Sequence, residues 1–323
     1  MQSFWAGHPE IEKELEEVRA TILGRAATDD TEVHAAIRQL LESSGKMLRP
    51  AFVLVSSRFG SAAIERSRMI GIAAAVEMLH MATLVHDDII DGAALRRGIA
   101  TLHALKGPRV AVLVGDWLFA ACFSLVADFA RMENARSLSQ LVARICASEL
   151  SQSADRFVLH TSIRRYKRRI AGKTAVLFAL SFYVGAVESE CPPALCDTLR
   201  RLGYCLGMGF QIIDDILDFR QTGGETGKPT GSDLSQGILT LPAILELGAD
   251  EGRLRAELVA SKRSPRAATR AAKIIAERGG LEKARLHAET YTCRALHEID
   301  RLPEGEARTT LREATERLLH RTY

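Results

Sequence analysis

Apolar residues recur at helical spacing along almost the whole chain. One such series is Ile11, Leu15, Val18 and Ile22, and another is Leu199, Leu202, Leu206 and Phe210. Positions three or four apart lie on one face of an α-helix, so each series forms an apolar stripe. Runs that alternate apolar and polar residues, as half-buried strands do, are scarce. The sequence therefore predicts an all-α fold.

The length of 323 residues and the 47% hydrophobic content are enough for one large domain or for two ordinary ones. No low-complexity linker and no repeat of fixed period interrupts the chain. We therefore predict a single domain over residues 1–323. The stretch 250–323, rich in Arg, Glu and Ala, is assigned to C-terminal helices of this domain with a packing role.

The expected helix breaks are short. They fall at 43–46, 91–98, 106–108 and 221–237, and the last of these holds five glycines. Pro50 suits the first turn of a helix, which would hold Lys46 and Arg49 at the entrance of that helix.

The net charge of +3 shows no excess of the kind expected in a dedicated nucleic-acid binder and disfavours that class, so any preference for anions must be local. The N-terminus lacks a basic segment followed by an apolar one, and no run reaches roughly 18 uninterrupted apolar residues. We predict a cytoplasmic protein without a membrane span. The basic run 164–169 is interpreted as a solvated helix face, and the alternative is transient contact with an anionic membrane surface.

Two acidic motifs stand in apolar surroundings. The first is Asp87, Asp88 and Asp91 in LVHDDIID, and the second is Asp214, Asp215 and Asp218 in FQIIDDILDF. Residues i and i+4 of a helix face the same way, and like charges at that spacing repel unless a cation compensates them. Two chance acidic helix ends are the alternative, but solvated acidic faces usually sit among polar residues. Since Mg²⁺ binds through one or two carboxylates plus phosphate oxygens, the pair of motifs predicts a magnesium-bound diphosphate substrate.

Basic residues occur near these motifs and at predicted helix ends, where they could bind phosphate oxygens. They are Lys46, Arg49, Arg96, Arg97, Lys173 and Lys228. His80 lies two helical turns before Asp87 on the same face, and the alternative is a core histidine with satisfied hydrogen bonds. His86 is interpreted as structural.

An ordered series of motifs from about Gly45 to Pro242 resembles the trans-polyprenyl diphosphate synthase family. The series is GKMLRP, EMLHMATLVHDDIIDGAALRRG, GDWLFA, GKTA, GFQIIDDILDF and GKPTGSDLSQGILTLP. The resemblance implies antiparallel helices around a central cavity, commonly in a homodimer. It also implies a Mg²⁺-dependent transfer of an allylic diphosphate, such as farnesyl or geranylgeranyl diphosphate, to isopentenyl diphosphate.

The resemblance also implies roles for single residues. Asp87, Asp88, Asp91, Asp214 and Asp215 would position magnesium and the allylic diphosphate, with Asp218 more peripheral. Arg96, Lys173, Gln211 and Lys228 would hold the allylic substrate, and Lys46, Arg49, His80 and Arg97 would bind isopentenyl diphosphate. Thr174 would lie close to the reacting carbons. Two positions depart from the pattern of the family, namely Ser44, where glycine is frequent, and Ile238, where lysine is frequent.

The length of the product should depend on what blocks the cavity beneath Asp87. The upstream positions are Ala82 and Thr83, where short-chain members of the family carry bulky aromatics. No aromatic occurs from there down to Gly71, and the 16 residue steps from Gly71 to Asp87 span about 24 Å of helix. We therefore expect a medium or long product, of the hexa- to octaprenyl class.

Several alternatives remain open at this point. They are a short-chain synthase, a catalytic subunit that needs a partner subunit, a terpene cyclase and a non-catalytic regulatory subunit. A cyclase would need neither the second aspartate motif nor the isopentenyl site, and the intact aspartates disfavour a regulatory subunit.

Overall fold

The computed structural model describes residues 3–27, 31–43, 45–61, 63–96, 98–220, 231–248 and 252–319. Arg97, Lys228, Ser44 and most of the glycine-rich loop at 221–237 lie outside the described residues, so the predictions made for them stay predictions.

The described residues are helical almost throughout, which confirms the all-α prediction. The helices are α1 (Pro9–Arg25), α2 (Thr31–Ser43), α3 (Leu48–Ser57), α4 (Arg66–Ile90), α5 (Leu102–Phe129), α6 (Met132–Ala154), α7 (Ile163–Ile170), α8 (Val176–Glu188), α9 (Pro193–Asp218), α10 (Ser232–Ser235), α11 (Leu241–Leu247), α12 (Arg253–Ser261), α13 (Pro265–Glu277), α14 (Gly280–Asp300) and α15 (Glu306–Leu319). A π-helical segment, Ala171–Ala175, joins α7 to α8, and β1 (Leu95–Arg96) pairs antiparallel with β2 (Ile99–Ala100).

Internal packing divides the chain into two compact units. The first unit comprises Met1–Ser139, Leu180–Arg200 and Leu302–Leu311, and the second comprises Gln140–Ala179, Arg201–Arg301 and Arg312–Tyr323. The single domain expected over residues 1–323 stays a prediction. The C-terminal stretch expected to be helical forms α12–α15.

Helices α4 and α5 of the first unit run antiparallel in close contact. A Cβ atom at Gly71, near the start of α4, would lie 2.4 Å from the ring of Phe129 at the end of α5. At the other end of the pair, a Cβ atom at Gly115 would lie 2.3 Å from the ring of His86. Real Cβ atoms do not approach so closely, so glycine at both positions is what lets these helices pack.

A buried carboxylate fixes the turn between α5 and α6. Glu188 is fully buried and accepts hydrogen bonds from Arg68, from the side chain of Asn134 and, at 2.9 Å, from the backbone N–H of Arg131. The Nε of Arg68 also donates to the carbonyl of Phe129 at 2.9 Å. The charge of Glu188 is therefore compensated inside the fold, as a buried charge requires.

The predicted breaks carry the expected backbone conformations. Gly107 (φ 82°) and the following Pro108 kink α5, and Gly231 and Gly237 at the end of the glycine-rich loop also have positive φ. The break after the first aspartate motif contains the β1–β2 hairpin. Local turn chemistry was thus sufficient to find these sites.

Three helical stretches would be long and apolar enough to cross a membrane by length and composition alone. They are Arg66–Ile90, Leu102–Phe129 and Ile163–Glu188, whose most apolar windows are 78%, 33% and 67% buried inside the protein. The prediction that the chain has no span was based on uninterrupted apolar runs, and it stays a prediction. Helix α5 exposes much more apolar surface than the other two stretches.

Candidate functional site

The first aspartate motif forms the C-terminus of α4. The N–H of Asp91, the capping residue, bonds to the carbonyl of Asp87 at 2.8 Å, and the N–H of Ala93 bonds to the carbonyl of Asp88 at 2.9 Å. A helix C-terminus carries a partial negative charge, and the last turn of α4 contains no basic residue. The helix therefore concentrates negative charge at its end, where a cation would be stabilising.

Asp88 is buried and paired with Arg96 of the hairpin. The Nε and Nη2 of Arg96 donate to Oδ1 of Asp88 at 3.0 and 2.8 Å. This forked contact holds the guanidinium beside the motif. The pair borders a small cavity of about 30 Å³ that Gln39, Leu40 and Thr101 also line.

The second aspartate motif forms the end of α9, in the second unit. Asp215 is buried, and its Oδ2 accepts a hydrogen bond from the hydroxyl of Tyr166 at 2.6 Å. Its Oδ1 accepts another from Nε2 of Gln211 at 2.8 Å. The last turn of this helix also lacks basic residues.

Burial raises the pKa of Asp215 to about 7, and the neighbouring charge of Asp214 acts in the same direction. The hydrogen bonds from Tyr166 and Gln211 oppose this rise, because they stabilise the ionised carboxylate. Asp215 is thus a buried carboxylate whose charge the surrounding protein compensates only in part.

The network continues to the GKTA motif. The hydroxyl of Thr174, which is buried, lies 2.6 Å from Oε1 of Gln211, so that Thr174, Gln211, Asp215 and Tyr166 form one connected chain. Thr174 belongs to the π-helical segment, and single π turns are frequent at functional sites. A Cβ atom at Gly207 of α9 would lie 2.6 Å from the Cα of Ala175, so this glycine allows the segment to approach α9.

Lys173 and Asp218 contact residues of the second unit that do not belong to this network. The Nζ of Lys173 lies 2.8 Å from the carboxylate of Glu149 on α6. Asp218 is buried, and its Oδ2 accepts the N–H of Asp233 at 3.1 Å, which fixes the start of α10.

Of the predicted isopentenyl residues, Lys46 and Arg49 lie in the first unit around the start of α3. Lys46 is exposed in the turn before α3, and Arg49 is half-buried in the first turn of that helix, as expected from Pro50. His80 is half-buried on α4, and the ring of His86 lies against α5, 3.4 Å from the carbonyl of Val112.

Sequence reasoning missed Tyr166 and Glu149. The run 164–169 was interpreted as solvated, which is wrong for two of its members. Tyr166 is fully buried, and Arg169 donates to the carbonyl of Leu239 at 2.7 Å. A signal was present, because Ile163, Tyr166 and Ile170 have the i, i+3, i+7 spacing of a buried face. No comparable signal marks Glu149.

The donor set fits magnesium. Over the described ranges, no three His, Cys, Asp or Glu side chains form a preformed metal cage. Mg²⁺ does not need one, because it keeps several waters and binds through one or two carboxylates plus the phosphate oxygens of a substrate. A divalent cation would compensate the remaining negative charge of the buried carboxylate. It would also compensate the charge of the acidic helix C-termini.

Comparisons with known proteins show which proteins the chain resembles. The chain is 40% identical to heptaprenyl diphosphate synthase component 2 of Geobacillus stearothermophilus over 86% of both chains. It is 36% identical to chloroplastic solanesyl-diphosphate synthase 2 of Oryza sativa, over 89% of this chain and 72% of that one. The crystal structure of heptaprenyl diphosphate synthase from Staphylococcus aureus superposes with a TM-score of 0.92 at 32% identity, over 96% of this chain and 98% of that one. The crystal structure of geranylgeranyl pyrophosphate synthase from Lactobacillus brevis superposes with a TM-score of 0.93 at 33% identity, over 99% of this chain and 100% of that one.

A family comparison covers most of the chain. Residues 30–277 match the model of the polyprenyl synthetase family. The aspartate motifs and the GKTA segment all fall within these residues. The chain therefore belongs to the polyprenyl synthetase family.

Proposed function

We propose that this prenyltransferase is Mg²⁺-dependent and condenses isopentenyl diphosphate with an allylic diphosphate to give a polyprenyl diphosphate and pyrophosphate. The observation that carries the proposal is the buried Asp215, held by Tyr166 and Gln211 within an acidic helix end. This group is arranged to bind a cation that neutralises a diphosphate, and the sequence resemblance gives the first aspartate motif the same role.

The residues that would hold magnesium and the allylic diphosphate are those predicted from the sequence. The metal ligands would be Asp87, Asp88, Asp91, Asp214 and Asp215, with Asp218 peripheral. When bound, Mg²⁺ supplies charge neutralisation of the diphosphate leaving group. Arg96, Lys173, Gln211 and Lys228 would hold the allylic diphosphate, and Lys46, Arg49, His80 and Arg97 would bind isopentenyl diphosphate.

The reaction needs no protein nucleophile. The allylic C–O bond breaks and its electron pair leaves with the diphosphate, the double bond of isopentenyl diphosphate attacks the allylic carbon, and a proton is then lost to the released pyrophosphate. Arg96 and Lys173 stabilise the negative charge that develops on the leaving group. The hydrogen bond between Thr174 and Gln211 fixes the orientation of both side chains, and Thr174 would lie close to the reacting carbons.

We propose a medium or long product. Ala82 is fully buried on α4, and α4 itself carries no aromatic residue between Gly71 and Asp87. Two relatives carry the names heptaprenyl and solanesyl diphosphate synthase. The similarity to a geranylgeranyl pyrophosphate synthase favours a short product as the second candidate. The size of the product distinguishes the two.

We propose a homodimer through the exposed face of α5. Its large apolar side chains there are Leu105, Val112, Leu113, Trp117 and Phe123, each between 40% and 61% exposed. Apolar patches of this extent commonly mark interaction sites. The alternative is a separate partner subunit, which the name "component 2" of two relatives suggests for those proteins.

The test is an elongation assay on the purified chain. The chain is incubated with Mg²⁺, labelled isopentenyl diphosphate and farnesyl diphosphate, and the dephosphorylated products are sized by mass spectrometry. We expect a ladder that ends in one long prenol and disappears with a chelator.

Asp214→Asn should lower kcat by roughly 100-fold or more, whereas Asp197→Asn, at an exposed position of the same helix, should not. If no allylic diphosphate is elongated, the chain is not a self-sufficient synthase.

A further inference from the structure

The fifth residue of the chain is held in the core of the first unit. Trp5 is 2% exposed, and its indole packs edge-on against Phe52 of α3 with ring centroids 6.1 Å apart. Phe52 in turn stacks on Phe182 at 4.6 Å. Aromatic packing therefore holds the indole in a fixed position.

This fixed indole bonds to the backbone of the predicted isopentenyl site. The Nε1–H of Trp5 donates to the carbonyl of Lys46 at 2.8 Å, across 41 residues of sequence. The neighbouring Phe4 places its ring 5.1 Å from the ammonium of Lys46, within the range of a cation–π contact. Both aromatic residues thus contact the same lysine, one at the backbone and one at the side chain.

The turn that carries Lys46 needs such restraint. Gly45 and Met47 on either side of it have φ angles of 78° and 47°. The second is a left-handed conformation that residues other than glycine rarely adopt, and it persists only where surrounding contacts impose it. Met47 is itself buried, at 2% exposure. Burial of Met47 and the indole hydrogen bond together fix the direction in which Lys46 leaves the turn.

We infer that Trp5 is a positioning residue for isopentenyl diphosphate, acting through Lys46. By holding the carbonyl of Lys46, it presents the ammonium to the diphosphate in one orientation and lowers the conformational cost of binding. The inference rests on the proposed function, because that function gives Lys46 its ligand. It predicts an effect on one substrate only, since the allylic diphosphate is held by other residues.

The test is Trp5→Phe, which keeps an aromatic ring and removes the N–H. We expect the KM for isopentenyl diphosphate to rise about 2- to 10-fold, which is the loss of affinity that corresponds to the free energy of one hydrogen bond. The KM for the allylic diphosphate and the kcat at saturation should stay within about 2-fold. Phe4→Leu, which keeps the indole N–H but removes the ring beside the ammonium of Lys46, should raise the same KM and no other. Tyr183→Phe, a matched loss of one polar hydrogen in the same unit, serves as the control.

A double-mutant cycle separates a positioning role from a structural one. Binding of isopentenyl diphosphate is measured by calorimetry for Trp5→Phe, Lys46→Ala and the double variant. If Trp5 acts through Lys46, Trp5→Phe has no further effect on affinity in the Lys46→Ala background. Equal effects in both backgrounds, or a parallel rise of both KM values, would overturn the inference. If the unsubstituted chain binds no isopentenyl diphosphate, the proposed function fails first and the inference fails with it.

Discussion

At the scale of single residues, the second aspartate motif depends on a tyrosine that lies 49 positions away in sequence. Tyr166 is fully buried, and its hydroxyl donates a 2.6 Å hydrogen bond to Asp215. A hydrogen bond to a charged group is stronger than a neutral one, and it favours the ionised carboxylate. Tyr166 therefore helps to keep Asp215 in the form that binds a cation.

Tyr166→Phe tests this role. Loss of the hydroxyl leaves Asp215 with one fewer hydrogen bond, so its pKa should rise and Mg²⁺ should bind more weakly. We expect the Mg²⁺ concentration for half-maximal elongation to rise about 10-fold, the equivalent of about 1.4 kcal/mol. Tyr204→Phe, at a 38%-exposed tyrosine of α9, is the matched control. An unchanged Mg²⁺ titration for Tyr166→Phe would contradict the role.

At the scale of secondary-structure elements, the pairing of α4 with α5 depends on close glycine contacts. The carbonyl of Phe129 is fixed by Arg68, and its ring lies against Gly71. The ring therefore cannot move away easily when a side chain is added at Gly71.

Gly71→Ala should destabilise the fold by about 1–3 kcal/mol, the usual cost of overpacking a core. The measurement is the midpoint of urea unfolding. Gly24→Ala in α1 adds the same methyl group where nothing lies within 4 Å, and it should be neutral or stabilising because alanine favours helices. Equal midpoints for the two variants would show that the close contact between Gly71 and Phe129 does not limit the size of the side chain at position 71.

The length of α4 beneath Asp87 also supports a prediction about the product. Ala82→Phe places a ring beside the first motif, where the proposed cavity begins, and should shorten the main product by at least one isoprene unit. The readout is the mass of the dephosphorylated prenols. Ser67→Phe adds the same ring at an exposed position of α4 and should leave the profile unchanged. If Ala82→Phe also leaves it unchanged, the cavity does not run along this helix.

At the scale of the whole molecule, the exposed apolar face of α5 predicts assembly. Leu113 is 61% exposed at the middle of that face. In a dimer with two-fold symmetry, Leu113→Glu would introduce a charge into the interface from each copy. We expect light scattering after size-exclusion chromatography to show a dimer for the unsubstituted chain and a monomer for the variant. Leu286→Glu, at a 64%-exposed leucine of α14, should remain dimeric.

The sequence by itself predicted the helical class, some of the breaks between helices and both aspartate motifs. These are local properties: apolar spacing defines a helix face, while glycine and proline mark where a helix ends. The motif series also predicted the family, which the comparisons confirmed.

Only the tertiary structure decided which distant residues support those motifs. Tyr166 contacts Asp215, Trp5 bonds to the carbonyl of Lys46, and the Phe129 ring lies against Gly71, although α4 itself carries no aromatic there. None of these partners has a fixed spacing in sequence. Each contact depends on how separate helices pack, because buried polar groups and close-packed rings must find partners wherever the folded chain brings them.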